Sequence, residues 1–146
     1  MILHAHDLYE RVLNEQPVIH HGKELAALHG MPTGSFISRF VRAGAPTPKV
    51  IVREALLVRV AEMHDDGRSL YAVANRLQFS SAQHLSRFLR QTCGVTSPAA
   101  LTGGRRSYRR TVFRQWLLEE HAAAIDAALG ASVRTADILA SMQSAA

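Results

Sequence analysis

Leu25–Arg42 reads LAALHGMPTGSFISRFVR and Val73–Arg90 reads VANRLQFSSAQHLSRFLR, two stretches that superpose at an offset of 48 residues. The endings carry the match: Ile37-Ser38-Arg39-Phe40-Val41-Arg42 faces Leu85-Ser86-Arg87-Phe88-Leu89-Arg90, while upstream Leu25 pairs with Val73, Ala26 with Ala74 and Thr33 with Ser81. Self-similarity of this kind marks a duplicated structural unit. Each copy reads as a short helix, a tight turn and a second helix. In the second copy Ser69 is placed to cap a helix running to about Leu77, the break falls at Gln78-Phe79-Ser80, and Ser80 or Ser81 caps the next helix through its hydroxyl. The first copy breaks at Gly30-Met31-Pro32, with Thr33 as the expected cap. Alanines at 26 and 74 let the two helices of each unit approach, and Ile37/Val41 and Leu85/Leu89, four residues apart, supply an apolar stripe to each second helix. The opposite stripe is polar and basic, with Gly34, Ser35, Ser38, Arg39 and Arg42 in the first copy and Ala82, Gln83, Ser86, Arg87 and Arg90 in the second.

Working outward, Lys49–His64 contains no helix breaker and is apolar on many sides, so it is expected to be a linking helix buried between the two units. Pro46 and Pro48 stop the preceding helix and start this one, and Asp65-Asp66-Gly67 ends it. A further helix over about His6–Glu15, with Leu8, Val12 and Leu13 on one side, is expected to pack on the first unit. Beyond the second unit, residues 111–129 form an amphipathic helix with Phe113, Trp116, Leu117, Ala124, Ile125 and Ala128 along one side and Gly130 as its stop; a short helix follows over about Val133–Met142. This tail reads either as a cap folded on the core or as a surface for homodimerisation through residues 111–146 or for contact with RNA polymerase. The expected architecture is all-α: two helix-turn-helix subdomains (about 22–45 and 68–93) joined by a buried linking helix (about 48–64) within residues 1–104, then a basic linker and C-terminal helical extension over 105–146.

Charge is distributed unevenly. Residues 31–110 hold thirteen Arg/Lys against four Asp/Glu, whereas residues 1–30 and 111–146 each hold two basic and four acidic residues. The middle of the chain is therefore the part that would attract an anion, as a nucleic-acid surface does. A composition 47% hydrophobic excludes disorder throughout, and the single cysteine, Cys93, excludes an intramolecular disulfide framework and suits the cytoplasm. No apolar run approaches the roughly 18 residues of a membrane span, and the N-terminus has no signal-peptide pattern.

The chain resembles the double helix-turn-helix DNA-binding domain of the AraC/XylS family of bacterial transcription regulators, most specifically in its second unit. The resemblance rests on Ala74, Phe79, Ser80-Ser81, His84-Leu85-Ser86-Arg87, Arg90, Gly94-Val95-Thr96 and the nearby Pro98, and covers about residues 8–102. The chain departs from the family at Gln78, where glycine is usual, at Met31 in the corresponding turn, and at Ser97, which shifts a proline by one position. Taken as complete, the chain is similar to the short, stand-alone members, without an effector-binding domain. The resemblance implies a transcription activator that binds double-stranded DNA with two recognition helices in adjacent major grooves.

On that basis Gly34, Ser35, Ser38, Arg39, Ala82, Gln83, Ser86 and Arg87 are the expected base contacts, since Arg bridges guanine O6/N7 and Gln bridges adenine N6/N7. Thr33, Arg42, Ser81 and Arg90, with Arg105 and Arg106 of the segment Gly103–Arg110, are the expected phosphate contacts. Two other readings share the same surface: an accessory protein for DNA recombination, and an interaction module using its basic face against an acidic partner. The histidine pairs His4/His6 and His20/His21 lack zinc spacing, and no Gly-rich phosphate loop, nucleophile elbow or paired acid/base constellation is present. Neither a metal, a cofactor nor an enzymatic activity is expected.

Overall fold

The computed structural model describes residues 1–94 and 108–130. Every regular element among them is helical: α1 (Ala5–Asn14), α2 (Gly22–His29), α3 (Thr33–Ala43), α4 (Pro48–Asp65), α5 (Leu70–Arg76), α6 (Ala82–Cys93), α7 (Tyr108–Arg114), a π-helical segment (Gln115–Glu120) and α8 (Ala122–Leu129). The expected all-α class is what the chain adopts. No helix among the described residues is long and apolar enough to cross a membrane. The expected helix over Val133–Met142 lies outside the described residues.

The centre is α4. Pro48 occupies its first turn, where no intrahelical N–H bond is lost, and the Thr47 hydroxyl accepts from Val50 N–H. Residues 55–61 are buried without interruption, so the helix has no solvent face along that stretch. It packs against α1, α2, α5 and α7, which places it between the α2–α3 and α5–α6 pairs. Gly44, in a left-handed conformation, ends α3, where the prolines downstream were expected to do so.

Two expectations about the periphery are corrected. First, α1 packs mainly on α4, the π-helical segment and α8, in place of the first helix pair. The Asp126 carboxylate accepts from Ala5 N–H at 2.7 Å, and Tyr9 stacks on Phe113 with centroids 5.7 Å apart. Second, residues 111–129 are not one continuous helix. A π-helical segment and a break at His121 turn the chain so that α7 lies on α4 and α8 on α3. Phe113, Leu117, Ile125, Ala128 and Leu129 are buried in the same core as Leu8, Phe36 and Leu57. The extension is thus a structural part of the core over residues 108–130. Arg110 is held there by Glu62, with Nε–Oε2 at 2.7 Å and Nη2–Oε1 at 2.8 Å, a two-pronged bond that raises its pKa further. A buried neighbour, Arg59, has its pKa lowered by desolvation and then by the charge of Arg110.

The two helix pairs are tied together at the second turn. Gln78 adopts φ 63°, the left-handed region that glycine enters freely and other residues enter at a cost of about 1–2 kcal/mol. Its side-chain oxygen accepts from Val18 N–H, and the His20 ring lies 2.6 Å from the Leu77 carbonyl oxygen and edge-on to Phe79 at 4.8 Å. Gln78 therefore exchanges backbone ease for a link between the segment before α2 and the turn between α5 and α6. Gln78→Ala keeps the strained backbone and removes the acceptor, so it is expected to lower stability by about 1–2 kcal/mol. Gln78→Gly should recover roughly 1 kcal/mol of that loss. Urea midpoints for the three proteins check both values, and an Ala variant as stable as the parent would show that the link contributes nothing.

Candidate nucleic-acid interface

Helix α6 is fixed at both ends and from below. Ser81 caps it, its hydroxyl accepting from His84 N–H at 3.0 Å, and Gly94 ends it in a left-handed conformation. Leu85 and Leu89 are fully buried, and the Phe79 ring packs against Phe88 at 5.4 Å. At 3.6 residues per turn this seating turns Gln83, Arg87 and Arg90 to the outer side, flanked by His84 and Gln91, and all five are exposed. Ala82 and Ser86 are half-buried at the edge. No acidic residue occurs in α6, so its exposed face combines two guanidinium groups with amide and imidazole hydrogen-bonding groups. Sequence reading missed His84 and Gln91; the signal was helical spacing, since Gln91 stands one turn beyond Arg87 and His84, seven residues before Gln91, lies on the same flank.

Helix α3 differs. The stripe that seats it is Phe36 and Phe40, both fully buried with centroids 4.8 Å apart. Ile37 and Val41, expected in the core, are 39% and 60% exposed. The cause lies in the turns. Gly30 and Gln78 are equivalent left-handed residues 48 apart, and their following amides make matching bonds, Met31 N–H to Ala26 oxygen and Phe79 N–H to Ala74 oxygen. The next helix is capped by Pro32 in the first pair but by Ser81 in the second, 49 positions on. The second turn is one residue longer, and one residue rotates a helix by about 100°.

The ISRFVR and LSRFLR segments therefore match in letters but not in orientation. Structurally Phe36 corresponds to Leu85, Phe40 to Leu89, Gly34 to Gln83, Ser38 to Arg87, Arg39 to Phe88 and Val41 to Arg90. The outer face of α3 carries Gly34, Ser35, Ile37, Ser38, Val41 and Arg42, lining a shallow open groove. Arg39 is half-buried and leaves this face for α8: a Cβ on Gly130, which ends α8, would stand 3.8 Å from its Nη1. The first stripe thus combines a glycine, two serines and two aliphatic side chains with one arginine, and the expected basic stripe is confined to α6.

Among the expected phosphate contacts, Arg42 and Arg90 are exposed, and Ser81 is occupied in its cap. Thr33 is the first residue of α3 and not its cap; that place is taken by Pro32, which has no side-chain donor or acceptor. Arg105 and Arg106 lie outside the described residues. Cys93 is the last residue of α6. His4 caps α1, its Nδ1 accepting from Asp7 N–H at 3.3 Å. No protein-family model, no curated protein and no solved structure matches the chain.

Proposed function

We propose that the chain is a sequence-specific DNA-binding transcription regulator of the AraC/XylS type, acting as an activator in the cytoplasm, with base recognition concentrated on α6. The observation that carries this reading is the acid-free outer stripe of α6, where Gln83 and Arg87 stand one turn apart and Arg90 one turn further on a helix seated by Leu85 and Leu89. Arg87 is suited to guanine and Gln83 to adenine, while Arg90 holds a phosphate. Helix α3 enters the neighbouring major groove with a face of different chemistry. Ile37 and Val41 suit thymine methyl groups, Ser35 and Ser38 donate to or accept from either base edge, and Gly34, with open space where a Cβ would stand, permits close approach.

A second reading is favoured by the exposure of Ile37 and Val41: the α3 face contacts protein, such as RNA polymerase, while α6 alone reads DNA. Within residues 108–130, Phe113, Leu117, Ile125, Ala128 and Leu129 are buried within the chain, which leaves the exposed Tyr108 and Val112 as the large apolar side chains a dimer there would use.

Selection from a random duplex pool, then footprinting, tests the proposal. The expected product is an asymmetric site with two dissimilar elements about one helical turn, roughly 34 Å, apart. Affinity should fall steeply with salt as condensed counterions are released. Five extra base pairs between the elements should abolish two-element binding. Indifference to the insertion would assign α3 to protein contact, and a flat salt response would remove DNA as the main ligand.

A further inference from the structure

Between α3 and α6 lies a half-open cleft of about 440 Å³ whose cations were assigned no role by the sequence reading. Ile37 forms one wall and Phe88 and Gln91 the other, so the cleft is bounded by the flanks of the two helices whose outer faces are described above. Its charged residues come from the adjoining starts of α2 and α4: Lys23, Lys49 and, one turn along α4, Arg53. These starts abut, since a Cβ on Gly22 would stand 3.0 Å from Pro48 Cβ. His20 and His21 complete the rim.

No acidic side chain is among the described residues lining the cleft. The nearby Glu24 carboxylate accepts from the His20 and His21 N–H groups, at 2.5 and 3.1 Å, and is engaged in capping α2. The Arg53 Nε is buried with no hydrogen-bond partner, and Glu54 at 3.9 Å is too distant to supply one. Lys23 and Lys49 are exposed. Lys23 and Lys49 thus stand in a concavity lined by no carboxylate, with Arg53 beside them and only weakly paired to Glu54 at 3.9 Å, an arrangement that favours an anion.

We propose that this cleft is a phosphate-binding site and that its ligand is the sugar-phosphate backbone flanking the minor groove between the two recognition elements. The inference rests on the DNA-binding reading above. If α3 and α6 occupy successive major grooves on one side of a duplex, the surface between them faces the intervening minor groove and its two backbones. The cleft occupies that place. A lysine ammonium meets a phosphate there as a point charge, without base preference. Lys23 and Lys49 would therefore add affinity equally to all sequences, and base choice would remain with Gln83 and Arg87.

The test is anisotropy titration of the full chain with the selected duplex and with a scrambled duplex, between 0.1 and 0.4 M salt as a rough working range. The double variant Lys23→Gln/Lys49→Gln changes two exposed side chains and is expected to keep its melting temperature. Each lost phosphate contact should reduce the slope of log K against log salt by about 0.9, so the variant should bind both duplexes about 10- to 20-fold more weakly at 0.2 M salt, with their affinity ratio unchanged. Lys23→Arg/Lys49→Arg should restore the slope. Wild-type binding with an unchanged slope in the double Gln variant overturns the cleft site and leaves base reading by α6 standing. Absence of wild-type binding to any duplex overturns both. A parallel calorimetric titration with inorganic pyrophosphate separates the sources of phosphate: saturation tighter than duplex binding, lost in the double variant, would assign the cleft to a soluble anion and overturn its assignment to the DNA backbone.

Discussion

A chain ending at residue 107 is expected to lose its cooperative fold. Phe113, Leu117, Ile125 and Leu129 are each at most 4% exposed, and they cover α1, α3 and α4. Burying an apolar side chain of this size stabilises by about 1.5–3 kcal/mol, so removal of the four withdraws about 6–12 kcal/mol. The whole stability of a domain is about 5–15 kcal/mol. Truncation also removes the Asp126 carboxylate from Ala5 N–H and Arg110 from Glu62. Within the full chain, Ile125→Ala should cost about 2–5 kcal/mol, the range for a buried large-to-small change. Circular dichroism melting and sedimentation of the truncated chain check the expectation. A monomer that still melts cooperatively near the parent temperature would show that the extension is dispensable to the core and would restore its reading as an interaction element.

The second large effect separates two arginines that the letters of the repeat make equivalent. Arg87→Ala should cost about 1–3 kcal/mol on the selected site, between about 5- and 150-fold, and relax preference at one base pair. Arg39→Ala should leave DNA affinity within about twofold, because Arg39 is turned toward the end of α8 and away from the exposed face of α3. Ser38, the residue at the position corresponding to Arg87, is the one whose replacement should alter base preference from α3. Measuring Arg87→Ala, Arg39→Ala and Ser38→Ala on the selected site and on each single-base variant of it decides between the two alignments. Equal, base-specific losses for Arg39 and Arg87 would restore the offset of 48 throughout and refute the rotated α3.

Much of the architecture was legible because it follows from local interactions. The Ser69 and Ser81 hydroxyls cap the helices they precede, accepting from Ala72 and His84 N–H at 3.1 and 3.0 Å. The largely apolar stretch without a helix breaker after Pro48 became the buried α4, and Leu85/Leu89 became the seat of α6. The Phe36/Phe40 pair was equally visible at four-residue spacing. Similarity to the second copy points to Ile37/Val41 instead, and similarity of letters does not report the length of the turn before them.

Sequence by itself thus determined the helical class, the two turns and the central helix, since capping, breaking and periodicity act over a few residues. Which side of α3 meets solvent, and where Arg39 and Arg110 are held, only the tertiary structure decided. Those outcomes depend on partners far along the chain: α8 against α3, Glu62 against Arg110, Asp126 against Ala5. Burial is a property of the surface that arrives from elsewhere, and a one-residue difference in a turn rotates a whole helix before that surface is met.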